Sequence, residues 1–404
     1  MALEARHITL IESQDSILDL SDDEAAALQA VGKDLAGKRE WWGSADDTAR
    51  EASVVICTPF NNGRWRVRVS DAVGIIGFST LQLTIEPKIP TAHLLFLLQA
   101  SGEFPRLAPQ RAVAMGDRFL WELILQWYVT ELETVLRRGL LRDYEESHDL
   151  LPVVRGSVDP VETGRVYYRG QLAFDCVFDE FDFDSPPNRL LATAARAVVG
   201  FPTHNVLLRR RAKRAFSRFE DVSELRTSDL RWQTERRAGY YATATILARH
   251  IIKSVGRTIL QGREPVTTFL IRTPEMVEAG LRTLLQKALP ETGIEKRGLQ
   301  LKPSTMTLNP DLVFNSGESV GDVKYKVLGT EWQRPDLYQL VAFATGFRAN
   351  MGVLVHFARE RGEQLPSVKV GHVQLHAASW FAQDDLDPTV ALGDLADRLR
   401  SILV

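Results

Sequence analysis

The sequence predicts a multidomain chain of mixed α+β and α/β class. It divides into an N-terminal α+β domain over 1–110, a helix-rich middle region over 111–256 and a C-terminal α/β core over 257–404. Three observations carry this reading. The first hundred residues hold short strand-like runs separated by turn signals. From about Gly116 the apolar spacing becomes that of amphipathic helices. Beyond Thr273 the order reads helix, three strands, helix, strand.

Composition sets the outer bounds. A chain of 404 residues fits two or three domains. Its 45% hydrophobic and 25% charged content is that of an ordinary soluble globular protein. The net charge is only −3, so any nucleic-acid binding has to come from local basic patches. Cys57 and Cys176 lie far apart and lack C-x-x-C spacing, which argues against a zinc ribbon or a disulfide framework and suits the reduced cytoplasm. The N-terminal MALEARHITL is not a signal peptide, and no apolar run approaches the roughly 18 residues of a membrane span.

In the N-terminal domain His7–Glu12 alternates as a strand does. Ser21-Asp22-Asp23-Glu24 is a capping box opening a helix to about Leu35. Strands follow near Ser53–Thr58, Arg64–Ser70, Val73–Phe78 and Leu81–Glu86, with Asn61-Asn62-Gly63 as a hairpin turn between the first two. Gly32 to Lys38 has P-loop spacing, but Arg39 stands where a Ser or Thr is needed and the segment ends a helix. No nucleotide is therefore assigned to this chain.

The middle region opens on a helix capped by Asp117 and ended by Gly139, with Trp121 and Trp127 as core residues. Asp143–Phe183 reads as extended and turn-rich, with Gly156, Gly164 and Gly170 at turns. Two readings are open for it, a projecting hairpin that docks into a partner or a connecting sheet. Helices follow from Pro187 to about Val199 and from Asn205 to Phe219. The second carries Arg209, Arg210, Arg211, Lys213 and Arg214, spread around the helix. Phosphate contact is one use of this patch; a solvated face balanced by Glu220, Asp221 and Glu224 is the other. Arg236, Arg237, Tyr240 and Tyr241 begin a further helix to about Ile252.

In the C-terminal core Thr273-Pro274-Glu275 starts a helix to about Leu289. A strand is expected near Ile294–Lys302. Asp311 then opens a strand, Asn315-Ser316-Gly317 turns, and Val320–Lys326 returns. Alternation points Asp322 and Lys324 one way and Val323 and Tyr325 the other. Pairing as a hairpin brings Asp311 beside Asp322, so two carboxylates and an ammonium converge on a spot suited to a hard divalent cation. Pro335–Gly346 reads as a helix, Met351–Phe357 as a buried strand, Ser367–His376 as a strand and Pro388 onward as a last helix. His372 and His376, on one strand face, make a poor zinc site.

Here the chain resembles the PD-(D/E)XK (restriction endonuclease-like) nucleases, through Pro310-Asp311 and Asp322-Val323-Lys324. The resemblance assigns Glu278 as a further acid from the first helix. Gln339 matches the first position of a Q-x-x-x-Y pattern whose last position is here Phe343, with Tyr338 adjacent. Further landmarks narrow the resemblance. They are Val73-Gly74-Ile75-Ile76, Ile85-Glu86-Pro87-Lys88-Ile89, Arg155-Gly156-Ser157-Val158-Asp159, Cys176, Asp179-Glu180-Phe181 and Asp184-Ser185-Pro186-Pro187-Asn188-Arg189-Leu190-Leu191, with Asp336-Leu337-Tyr338-Gln339-Leu340 after the motif. In this order they resemble the McrC family, the nuclease subunit of McrBC-type modification-dependent (type IV) restriction systems.

The resemblance implies a Mg²⁺-dependent endodeoxyribonuclease, with Mn²⁺ as a substitute ion, that cuts DNA with a McrB-like AAA+ GTPase ring and stimulates it. Asp311, Asp322 and the carbonyl of Val323 would hold the metal. Lys324 would position water, Glu278 would bind a second metal or tune the first, and Gln339 would orient water or Lys324. A stand-alone PD-(D/E)XK nuclease of repair or recombination and a non-catalytic activator of an AAA+ ring are the competing functions.

Overall fold

The computed structural model describes residues 6–37, 53–78, 80–105, 119–201, 205–234, 236–258, 266–361 and 364–403. The chain divides into two compact units, one made of 1–123 with 256–404 and the other of 124–255.

The first unit begins with β1 (Arg6–Ile11), β2 (Ser16–Leu18), α1 (Asp22–Gly37), β3 (Val55–Pro59), β4 (Trp65–Val69), β5 (Ala72–Gly77), β6 (Leu81–Glu86) and α2 (Thr91–Ala100). The capping box forms: Glu24 N–H donates to Ser21 Oγ at 3.2 Å and Ser21 N–H donates to Glu24 Oε2 at 3.0 Å. The Asn61–Gly63 turn joins β3 to β4, with Asn62 and Gly63 left-handed. Residues 32–37 are the end of α1, so the P-loop-like spacing falls on a helix; Lys38 and Arg39 lie outside the described residues. A Cβ on Gly32 would stand 2.5 Å from the Val55 carbonyl oxygen, so packing on β3 requires that glycine. Leu28, Val31 and Leu35 of α1 bury against Val55, Val67 and Val69.

Helix α3 (Leu120–Arg138) leads into the second unit, and its expected cap, Asp117, lies outside the described residues. Trp121 and Trp127 are buried, as expected of core residues. The unit continues with β7 (Asp143–Leu151), β8 (Ser157–Val158), α4 (Pro160–Tyr168), β9 (Phe174–Asp182), α5 (Pro186–Gly200), α6 (Val206–Phe216) and α7 (Ala242–Ser254). The turn-rich reading of 143–183 misses α4. Gly164 lies inside that helix, and Asp159 caps it by accepting from the N–H groups of Val161 and Glu162. The strands form a three-stranded sheet in the order β7-β9-β8. This segment carries exposed apolar side chains, among them Val153, Val161, Tyr167, Tyr168 (92% exposed) and Leu172 (85%). Tyr241 is buried and donates to Asn188 Oδ1 at 2.7 Å, so it serves packing. The side chains of Arg236 and Arg237 lie outside the described residues.

The first unit resumes with β10 (Val255–Thr258), β11 (Val266–Arg272), α8 (Pro274–Ala288), β12 (Leu299–Gln300), β13 (Thr307–Leu308), β14 (Leu312–Phe314), β15 (Ser319–Val327), α9 (Arg334–Phe347), β16 (Met351–Ala358), β17 (Val368–Val370), β18 (Val373–Phe381) and α10 (Pro388–Leu403). β11 completes a sheet with the N-terminal strands, in the order β1-β6-β5-β11-β10. A second five-stranded sheet runs β14-β15-β16-β18-β17, with β15, β16 and β18 parallel.

Two expected strands change. Ile294–Lys302 gives only the bridge of Glu295 to Val313 and the short β12. Ser367–His376 is split into β17 and β18 by a turn at Gly371 and His372, with Gly371 left-handed, so His372 and His376 do not share a strand face. Helix α9 packs Leu340, Phe343 and Ala344 against Val320, Leu354 and Leu375. Helix α8 lies so close on α2 that a Cβ on Gly280 would stand 2.2 Å from the Leu97 carbonyl oxygen.

Candidate active site

The hairpin at the centre of the site is set by backbone chemistry. Asn315, Ser316 and Gly317 all take positive φ and reverse the chain within three residues. The resulting register pairs Leu312 with Gly321, and one step further Asp311 stands across from Asp322. Both carboxylates are buried, Asp311 at 7% and Asp322 at 2% exposure. Asp311 Oδ2 accepts from Val323 N–H at 3.1 Å, which locks the two strands together at the site. Lys324 Nζ lies 2.8 Å from Asp322 Oδ2. That buried oxygen is thereby ion-paired with the ammonium.

Electrostatics bind the acids into one group. Burial, reinforced by Asp311 and opposed by Lys324, pushes the Asp322 carboxyl up to about 7. Burial, then the charges of Asp311, Glu275 and Asp322, holds Glu278 well above the usual carboxylate range. Burial works against the charge of Lys324, but Asp322 outweighs it and holds the ammonium above its ordinary value. Buried acids that resist ionisation side by side make a setting that a bound cation would relieve. Asp311 and Asp322, with the carbonyl of Val323, could hold a hard ion through oxygen alone. Among the described residues no three His, Cys, Asp or Glu side chains are already gathered as a ligand shell.

Two cations at the site carry no local signal in the sequence. Lys296 Nζ lies 3.8 Å from Asp311 Oδ1, and Arg282 of α8 donates to the Asp311 carbonyl at 3.4 Å. Gln339 is exposed, one turn beyond Asp336, and makes no hydrogen bond to Asp311, Asp322 or Lys324 among the described residues. Phe343 is core and Tyr338 is exposed. Asp336 instead pairs with Lys326 at 3.0 Å. A cavity of about 820 Å³ beside Glu86, Lys88, Trp121 and Arg359 includes none of the site's acids in its lining.

The basic helix α6 belongs to the other unit. Leu208, Ala212 and Ala215 are its buried face, so Arg209, Arg210, Lys213 and Arg214 fall on the exposed side rather than all around it. Arg211 differs from these, with Nε and an Nη on Glu133 at 2.9 and 2.8 Å. The landmark residues of 184–191 are architectural. Arg189 is buried and forked onto Asp229 at 2.9 and 3.0 Å, and Asn188 donates to the carbonyls of Leu141 and Phe183.

The McrBC family profile, described as a McrBC 5-methylcytosine restriction system component, matches residues 67–356. No curated protein matches the chain. Among solved structures, it is similar to one chain of the refined half-complex from the tetradecameric assembly of Thermococcus gammatolerans McrB AAA+ hexamers with bound McrC. That match has a TM-score of 0.67 and 17% identity, and covers 98% of this chain and 100% of that one. A chain of the cryo-EM structure of the Thermococcus gammatolerans McrBC complex aligns with TM-score 0.46 and 17% identity, over 70% of this chain and 88% of that one. At 17% identity the first likeness speaks for a shared fold. The family match spans more than half of the sequence and takes in both the acids of the β14–β15 hairpin and the landmark residues of the second unit, and on that ground the chain belongs to the McrBC restriction family.

Proposed function

We propose that this chain is the Mg²⁺-dependent endodeoxyribonuclease subunit of a McrBC-like restriction complex in the cytoplasm. In this reading its α8-to-β16 segment is a PD-(D/E)XK core. The observation that carries the reading is that the β14–β15 register sets the buried Asp311 and Asp322 across from one another, with Lys324 Nζ 2.8 Å from Asp322 Oδ2. Asp311, Asp322 and the Val323 carbonyl would hold the ion, whose chemistry there would be Lewis-acid polarisation of the phosphoryl group and of water. Lys324 positions that water and stabilises charge on the phosphoryl oxygens. Glu278, whose carboxyl burial and the neighbouring acids hold well above its usual range, would bind a second metal or tune the first. Gln339, exposed on α9, would orient water or Lys324 only once DNA is bound.

The ring partner follows from the family and from the second unit's surface. The segment's exposed apolar side chains, Tyr167, Tyr168, Leu172 and Val153, are of the kind that seat against another protein. The exposed cations of α6 suit DNA phosphates. The test is cleavage of methylated and unmethylated duplex DNA in Mg²⁺, with and without the cognate AAA+ ring and GTP. Cleavage requiring ring, GTP and modified DNA, abolished by Asp322→Ala, is the expected result. Cleavage retained by that variant would overturn the site. Cleavage by the chain alone would make it a stand-alone nuclease.

A further inference from the structure

The catalytic strand is irregular immediately after Lys324. β15 pairs with β16 in step from Ser319↔Met351 to Lys324↔His356, and the next pair is Val327↔Phe357. Tyr325 and Lys326 are thus a bulge without ladder partners in β16. A bulge re-aims the side chains beside it, and the backbone there depends on side-chain contacts for its position. Those contacts come from opposite faces. Lys326 reaches Asp336 of α9, while Tyr325 points behind the strand, away from Lys324.

Behind the strand Tyr325 enters a buried ionic cluster built by the N-terminal strands. Its ring, 4% exposed, meets Phe357 edge-on at 5.4 Å, and Phe357 in turn packs on Trp380 at 6.3 Å. Lys88, from the Glu86-Pro87-Lys88 landmark, places Nζ 4.0 Å from the Tyr325 ring centroid. Its side chain is 8% exposed. Nζ is 3.9 Å from Glu12 Oε1 and 4.0 Å from Asp71. The Thr273 hydroxyl donates to Glu12 Oε1, and the Tyr325 hydroxyl faces the Glu12 carboxylate. Isosteric apolar residues would cost no more than this cluster for stability alone, because buried ion pairs roughly break even with such replacements. What the cluster supplies is direction, an ammonium fixed over one ring face.

We propose that Lys88 is a positioning residue of the nuclease. Held by Glu12, it clamps the Tyr325 ring, fixes the bulge and thereby aims Lys324 at Asp322. This rests on the nuclease reading above and extends it: the N-terminal strands are part of the catalytic apparatus.

The test uses the full chain with its cognate AAA+ ring, GTP, Mg²⁺ and DNA, and reads cleavage, melting temperature and stimulation of the ring's GTPase. Lys88→Met and Tyr325→Leu are expected to lower kcat by about 10–100-fold, the range for a displaced catalytic group. Their KM for DNA and GTPase stimulation should stay within about twofold of wild type. Tyr325→Phe keeps the ring and should stay within about threefold of wild-type kcat. Glu12→Gln/Lys88→Met removes both charges, so it should recover the melting temperature while kcat remains low. Wild-type kcat in Lys88→Met, or recovery of kcat together with melting temperature in the double variant, would overturn the proposal. If the wild type stimulates the ring but cuts nothing, the nuclease reading itself fails, and this inference with it.

Discussion

Asparagine at position 322 keeps the volume of the aspartate and removes the charge that its setting disfavours. Asp322 is 2% exposed, and burial, with Asp311 adding and Lys324 opposing, lifts its carboxyl from 3.8 to about 7. Roughly three pKa units correspond to about 4 kcal/mol in favour of the neutral form. The folded value lies above the unfolded one. The stabilisation is therefore fully present below pH 3.8 and is lost as pH rises through about 7. In chelator at pH 8.5, Asp322→Asn should be more stable than wild type by about 2–4 kcal/mol, an ordinary gain when an active-site strain is relieved. The advantage should narrow to about 0.5 kcal/mol near pH 4. Urea midpoints across this range measure it. Mg²⁺ should raise the wild-type melting temperature and leave that of the variant unchanged, since the ion binds only the native site. Cleavage by the variant should be undetectable. A variant less stable than wild type by the same margin at pH 8.5 and pH 5 would refute the reasoning, because the carboxylate would then be comfortable where it lies.

Three further outcomes follow from contacts described above. Gly280→Val drives a side chain into the Leu97 carbonyl and should cost about 1–3 kcal/mol through overpacking, read as a lower thermal midpoint. Arg189→Met leaves Asp229 buried and unpaired, at a cost of about 3–5 kcal/mol. Faster proteolysis within 124–255, partly reversed in Arg189→Met/Asp229→Asn, would report it. Arg210→Ala/Lys213→Ala/Arg214→Ala should shallow the salt dependence of DNA binding by roughly two to three in slope. Arg211→Ala should leave that slope alone and lower stability through the lost Glu133 pair; an unchanged slope in the triple variant would remove α6 from the DNA contact surface.

What could be read in the sequence is what local chemistry dictates. Asp311 meets Asp322 because a three-residue turn and a period of two leave little other choice, and the capping box at Ser21 works within four residues. Helix α4 was equally local: Asp159 before Pro160 is a cap and a helix-first proline, hidden among glycines that suggested turns. The contacts of Lys88 with Tyr325 and of Glu12 with Thr273 join residues more than two hundred apart, and no periodicity encodes them. The same holds for Lys296 beside Asp311, which arrives on a segment expected to be strand and found mostly irregular. Gly371 in the left-handed region splits an alternating segment that otherwise reads as one strand.

The place of β11 governs the order in which the chain can take shape as it is made. β5 is buried along its whole length and pairs with β11, whose last residue, Arg272, is synthesised long after Gly77. At about 5–20 residues per second that interval is on the order of 10–40 s. Through it, Val73, Ile75 and Ile76 border an open strand edge that can template pairing with another nascent chain. The N-terminal strands expressed without 256–404 would keep that edge permanently, so a fragment cut at the end of α2 should self-associate more strongly than the whole chain.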